Sequence, residues 1–191
     1  MDSAWWQIAG VFTLVLISAF FVAAEYSLVS ARLSRISAIA KKGNRPARVA
    51  VKALEHLPPY IAGTQLAITM TSIGLGWLGE GALAKLLEPA LSGIGLHFAA
   101  GGIAFLIVTF LLVVLGELVP KYLVLRSADR LLLRLIIPVN LALFVLRPLT
   151  AVLEGAGFLV LRPFGIDIRK QERPIIAKEE LAALIQKLGP Q

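Results

Sequence analysis

The basic residues of this chain fall in clusters, and between the clusters stand three apolar stretches long enough to cross a lipid bilayer. No other feature constrains the fold as much. A bilayer core demands about 20 consecutive, mostly apolar residues. Inside it every backbone N–H and C=O must be bonded within the protein, which leaves helices or closed barrels as the only spanning structures. The first stretch runs from Trp5 to Ser30 and carries one charge, Glu25. The second, Pro58–Gly79, carries none, and the third, Phe98–Tyr122, carries Glu117 and Lys121 near its end. All three read as transmembrane helices.

The clusters give the orientation. Of the 19 Lys and Arg, seven lie between Arg32 and Lys52, one is Lys85, and eleven run from Lys121 to Lys187. By the positive-inside rule the Arg32–Lys52 loop and everything after Lys121 are cytoplasmic, while the N-terminus and the Glu80–His97 loop face outward. Trp5, Trp6 and Trp77 then share the outer interface, as an aromatic belt does. The first span lacks a basic leader and follows Asp2, so it reads as a retained helix and not a cleaved signal peptide. Only 16% of residues are charged and 58% are hydrophobic, against about 25% charged in soluble domains. The net charge of +7 is thus an orientation signal, and no nucleic-acid partner is expected. The chain contains no cysteine, which excludes disulfides and thiolate chemistry. It has no HExxH, GxSxG or glycine-rich phosphate loop, so an enzyme is not expected. His56 and His97 fall on opposite sides of the membrane and read as loop residues.

Beyond the third span the apolar runs are cut by Arg130, Arg134, Pro138, Arg147, Pro148 and Glu154, and the longest uncharged run is Leu135–Leu146. Such runs suit helices lying in the cytoplasmic interface. A fourth span over 131–153 is the competing reading; it would bury Arg134 and Arg147. The expected architecture is therefore an all-α membrane protein with three transmembrane helices, its N-terminus outside, and cytoplasmic juxtamembrane amphipathic helices. Residues 1–165 form that domain, and 166–191 are a polar tail in which Ala177–Leu188 starts a short amphipathic helix.

Ionisable groups within a span are costly and mark functional sites by default. Glu25 and Glu117 both lie toward the cytoplasmic ends of spans. On the first helix Ala23, Ser27 and Ser30 share one face and Ser18 and Glu25 another. On the second, Thr64 and Gln65 precede Thr69, Thr71 and Ser72, and Gly74, Gly76 and Gly79 permit close helix packing. The third carries Gly116-Glu117-Leu118-Val119-Pro120-Lys121. Pro120 has no N–H, so the Gly116 carbonyl loses its α-helical partner. A freed carbonyl beside a carboxylate suits a hard cation such as Mg²⁺, Na⁺ or Ca²⁺, and broken helices hold ions this way in transporters. A plain proline kink is the alternative.

Phe20-Phe21-Val22-Ala23-Ala24-Glu25-Tyr26-Ser27-Leu28-Val29-Ser30, the GELVPK element at 116–121, and Thr64-Gln65-Leu66-Ala67-Ile68-Thr69 with Gly74-Leu75-Gly76 together resemble the transmembrane domain of the CorC / cyclin M magnesium transporters. The resemblance covers nearly the whole chain. It implies three transmembrane helices with a juxtamembrane helical belt, a homodimer in the cell (inner) membrane, and Mg²⁺ export driven by Na⁺ entry. It implies a following CBS-domain pair that binds ATP; 177–188 resembles the lead-in to it, so the chain is expected to stop short of that pair. The ligands it suggests are the Gly116 carbonyl, Ser27, Gln65 and Thr64, with backbone near Ala23. Glu117 and Glu25 supply charge, and Pro120, Lys121 and Ser30 gate or support the site. Where relatives carry Ser in the first-span motif this chain has Val22 and Ala24, and where others carry Asn in the second it has Thr64 and Gln65. Two rival functions remain: a divalent-cation channel, and a membrane anchor for a cytoplasmic regulatory domain.

Overall fold

A computed structural model describes residues 2–92 and 99–164, and all regular structure among them is helical. The order is α1 (Asp2–Ser30), α2 (Leu33–Lys41), α3 (Arg45–Glu55), α4 (Leu57–Ser92), α5 (Ala100–Leu111), a π-helical segment (Leu112–Leu118), α6 (Val119–Leu161) and a 3₁₀ turn (Arg162–Phe164). Three helical runs are long and apolar enough to cross a membrane: Trp5–Ser30, Leu57–Leu91 and Ala100–Leu161. The expected spans are therefore present, with two corrections of extent. The second helix does not stop at Gly79 but continues to Ser92 through part of the expected Glu80–His97 loop. Glu80, Lys85 and Glu88 end the apolar run, not the helix. The third run passes through Pro120 and turns directly into the juxtamembrane region.

Contacts set the helices in register. Gly10 faces Leu78 so closely that a Cβ would sit 2.7 Å from Leu78 Cδ2. At the other end the Thr64 hydroxyl lies 3.1 Å from Glu25 Oε2. Moving from the first contact to the second advances α1 and retreats α4 by nearly equal lengths, so the pair is antiparallel over about 22 Å at 1.5 Å per residue. Gly79 lies against Val108, and Gly116 against Ser18, so α5 and the π segment run parallel to α1. Near the chain's first residues an apolar layer of Val11, Val15, Leu75 and Val108 fills the centre. Trp77 stands beside Leu78, about one turn of α1 from Trp6, so the three tryptophans gather toward one end of the bundle.

At the opposite end a second core joins Leu28 of α1, Ile36 of α2, Ala47, Ala50 and Ala53 of α3, and Leu132 and Ile136 of α6. The alanines repeat every third residue on one face of α3 and are wholly buried, letting that helix lie close. Asn44 caps α3 by accepting the Ala47 N–H at 2.9 Å, and Gly43, at φ +89°, makes the left-handed turn from α2 that a side chain would strain. The region between the first two spans, read as a basic loop, is thus a helical hairpin.

α6 is broken at Ser127 (φ −158°, ψ 48°). Beyond the break one helix runs to Leu161, so the expected belt after the third span is one long helix. Leu132, Ile136 and Val139 are buried. Asn140 accepts a hydrogen bond from the Tyr60 hydroxyl at 2.8 Å, and Leu143 sits where a Cβ on Gly63 would reach. The chain divides into two compact units, 1–150 and 151–191. In the second, Val152, Leu153, Leu159 and Val160 are exposed. The tail helix expected over 177–188, and residues 166–191 generally, lie outside the described residues.

Candidate ion site

The polar side chains of the spans collect at two levels below the apolar layer. At the upper level Ser18, buried on α1, meets the π segment: a Cβ on Gly116 would lie 3.5 Å from Ser18 Oγ and 3.1 Å from Leu112 Cδ1. A methyl here would meet Ser18 at ordinary contact distance and need only the Leu112 side chain of the same segment to give slightly; a larger side chain would crowd Ser18. The π segment also answers the proline. Pro120 cannot donate to the Gly116 carbonyl, and the helix responds by widening before it: the Val119 N–H reaches the Val114 carbonyl, five residues back. In place of the expected break stands a π-helical segment, a feature frequent at functional sites.

The lower level is built by α1 and α4. Thr64 is fully buried and Glu25 half-buried. The Thr64 hydroxyl has three acceptors in range: Glu25 Oε2 at 3.1 Å and the Tyr60 and Ile61 carbonyls, each at 3.0 Å. One hydroxyl carries one proton, so it donates either to the carboxylate or back to its own helix. In the second arrangement its lone pairs and those of Glu25 are free together. Ser27 is also fully buried, and its Oγ has no hydrogen-bond partner among the described residues. From the π segment Glu117 pairs with Lys121 one turn on, and Lys121 Nζ lies 4.9 Å from the centre of the Tyr26 ring. That cation–π contact carries the second carboxylate's charge partner across to α1.

Glu25 and Thr64 are therefore brought together, as are Glu117 and Lys121. Gly116 stands level with Ser18, about 13 Å along α1 from Ser27 at helical rise. Gln65 is exposed on α4. Ala23 and Pro120 line an apolar groove on another side of α1, with Phe12, Leu16 and Phe20. Ser30 is exposed and belongs to a polar cleft at the helix end. No three acidic or histidine side chains converge among the described residues, so a cation held here would rely on hydroxyls and carbonyls with one or two carboxylates. Sequence reasoning singled out Glu117 and Lys121 but not Tyr26, which joins them to α1. Its place beside Glu25 is the one signal it offered.

The chain matches the family model described as the cyclin M transmembrane N-terminal domain over residues 9–188. It belongs to the cyclin M transmembrane family. Among curated cyclin M-type relatives it is 34% identical over 184 residues to the UPF0053 protein YugS of Bacillus subtilis, covering 94% of this chain and 43% of that protein. It is 37% identical over 177 residues to YhdT of the same organism, covering 90% and 38%. A Synechocystis relative, sll0260, is 32% identical over 181 residues, covering 92% and 40%. The chain thus spans less than half the length of the relatives it matches.

Proposed function

We propose that this chain is the membrane domain of a Mg²⁺ transporter that exports Mg²⁺ against Na⁺ entry by alternating access. Membership of a family associated with divalent-cation transport supports the class of function. The observation that carries the reading is Ser27, a fully buried hydroxyl with no partner among the described residues, two residues along α1 from Glu25 and on another face of that helix. Leaving such a group unsatisfied costs about 1–3 kcal/mol, a cost a cation's ligand field removes. In this reading Thr64 turns its proton to the Tyr60 or Ile61 carbonyl, Thr64 and Glu25 present oxygens to the ion, and turning of α1 about its axis brings the Ser27 hydroxyl in beside them. Glu117, tied to Tyr26 of α1 through Lys121, supplies a second carboxylate from the π segment, while the Gly116 carbonyl, level with Ser18, offers a second station along the path of the ion. Gln65 and the backbone at Ala23 complete or relinquish the shell as α1 and α4 move. Mg²⁺ gives up its water reluctantly, so a site closing from three helices suits its capture and release. Lys121 neutralises Glu117 while the site is empty.

The N-terminus then faces outward, the basic ends lie in the cytoplasm, and the bilayer is the cell's inner membrane; the charge asymmetry supports that orientation. The apolar groove of about 450 Å³ lined by Phe12, Leu16, Phe20, Leu115 and Leu123 suits a second copy in a homodimer. In proteoliposomes loaded with Mg²⁺, efflux is expected to require an inward Na⁺ gradient and to be lost in Glu117→Ala. Efflux indifferent to Na⁺ would make the domain a channel. Folded protein with neither flux nor calorimetric Mg²⁺ binding would make it an anchor. Lys121→Met is expected to tighten Mg²⁺ binding about tenfold, or ~1.4 kcal/mol, and to slow turnover; unchanged affinity and flux would remove Lys121 from the cycle.

A further inference from the structure

A polar cleft of about 580 Å³ opens where α1 ends and α6 breaks, lined by Ser30, Arg32, Arg35, Arg126, Ser127, Asp129 and Arg130 among others. Four arginines and one aspartate line it. Asp129 is already engaged: Oδ1 accepts the Arg32 N–H at 3.1 Å, and Oδ2 accepts from Arg35 Nη1 at 3.4 Å. Arg126 and Arg130 have no ion-pair partner among the described residues. Gathering like charges in a concave site is unfavourable unless a counter-charge fills it. Arginine is the side chain suited to a phosphate group, whose oxygens it binds through two parallel N–H donors.

The position of the cleft selects the anion. It lies at the ends of spanning helices, and the helix beyond it exposes Leu141, Phe144 and Val145. A headgroup in the cleft could therefore keep its acyl chains against apolar surface. We propose that the arginine cleft at the Ser127 break binds the phosphate-bearing headgroup of an anionic phospholipid and ties the α1–α2 junction to α6. This goes beyond the transport reading, and of the residues assigned to the ion site it shares only Ser30.

The test uses the whole chain in detergent micelles, titrated with phosphatidylglycerol, with phosphatidylcholine or with glycerol phosphate, and reads thermal stability and retained lipid by native mass spectrometry. Phosphatidylglycerol is expected to raise Tm and remain bound, whereas phosphatidylcholine does neither. Arg126→Gln/Arg130→Gln, which leaves the Asp129 contacts in place, is expected to weaken retention on the order of 30-fold, at ~1 kcal/mol per arginine. Arg147→Gln, a basic residue outside the cleft, serves as the control and should retain lipid like wild type. Equal retention by the double variant and wild type would overturn the site. Equal stabilisation by glycerol phosphate and by the lipid would overturn the lipid assignment in favour of a soluble phosphate.

Discussion

The same three helical runs build two layers of opposite character. In the apolar layer Val11, Val15, Leu75 and Val108 are buried and leave no polar atom to satisfy. Gly79 lets Val108 approach so closely that a Cβ would lie 2.9 Å from its Cγ2. From about one to three turns beyond Val15 along α1, the polar levels hold Ser18, Glu25, Ser27, Thr64 and Gly116. They too are buried wholly or in part, yet one hydroxyl goes unpaired and another has more acceptors than protons. In a bilayer, helix association depends on close van der Waals contact and interhelical hydrogen bonds. The apolar layer supplies the first in full. The polar levels hold their bonding capacity in reserve. The difference separates a layer that fixes the helices from one that can change partners.

The largest effect should come from the apolar layer. Leu75→Ala removes a fully buried side chain and is expected to cost about 2–4 kcal/mol through the cavity left behind, measured by reversible unfolding in mixed micelles. Per folded molecule, Mg²⁺ affinity should not change; a loss of affinity would merge the two layers into one. Gly79→Ala drives a methyl into Val108 and is expected to cost about 1–3 kcal/mol, again without altering ion affinity. The smallest change in stability has the opposite sign. Ser27→Ala deletes the unpaired hydroxyl and is expected to stabilise the fold by about 1 kcal/mol while Mg²⁺ affinity measured by calorimetry falls at least about tenfold. Destabilisation with intact affinity would make Ser27 an ordinary packing residue.

The spans were legible because hydropathy reports the solvent around a helix. Their ends were not, for the same reason: α4 leaves the apolar run at Glu80 but keeps its backbone bonds to Ser92. The α2–α3 hairpin announces itself through Asn44 and Pro46, but its buried face is alanine, too weakly apolar to stand out among arginines. Pro120 marked the place where the α-helical bonding pattern changes, and a π segment stands directly before it. Whether the helix breaks or widens in response is decided by how the segment packs in the bundle, a tertiary fact. Glu25 and Thr64 were each visible as polar residues in apolar spans. That they pair, while Gln65 beside Thr64 turns outward, depends on the rotation of α4, and Gly63 against Leu143 helps to fix that rotation. Glycines reveal that something approaches closely, not what.

The most direct test is a crystal grown with Mn²⁺ as an anomalous stand-in for Mg²⁺. We expect one anomalous peak in the interior of the bundle, within ligand distance of Thr64 and Ser27 oxygens and beside Glu25, that disappears in Ser27→Ala. An interior without a peak at saturating Mn²⁺, or a peak that survives in Ser27→Ala, would contradict the assignment of the polar levels as the ion site.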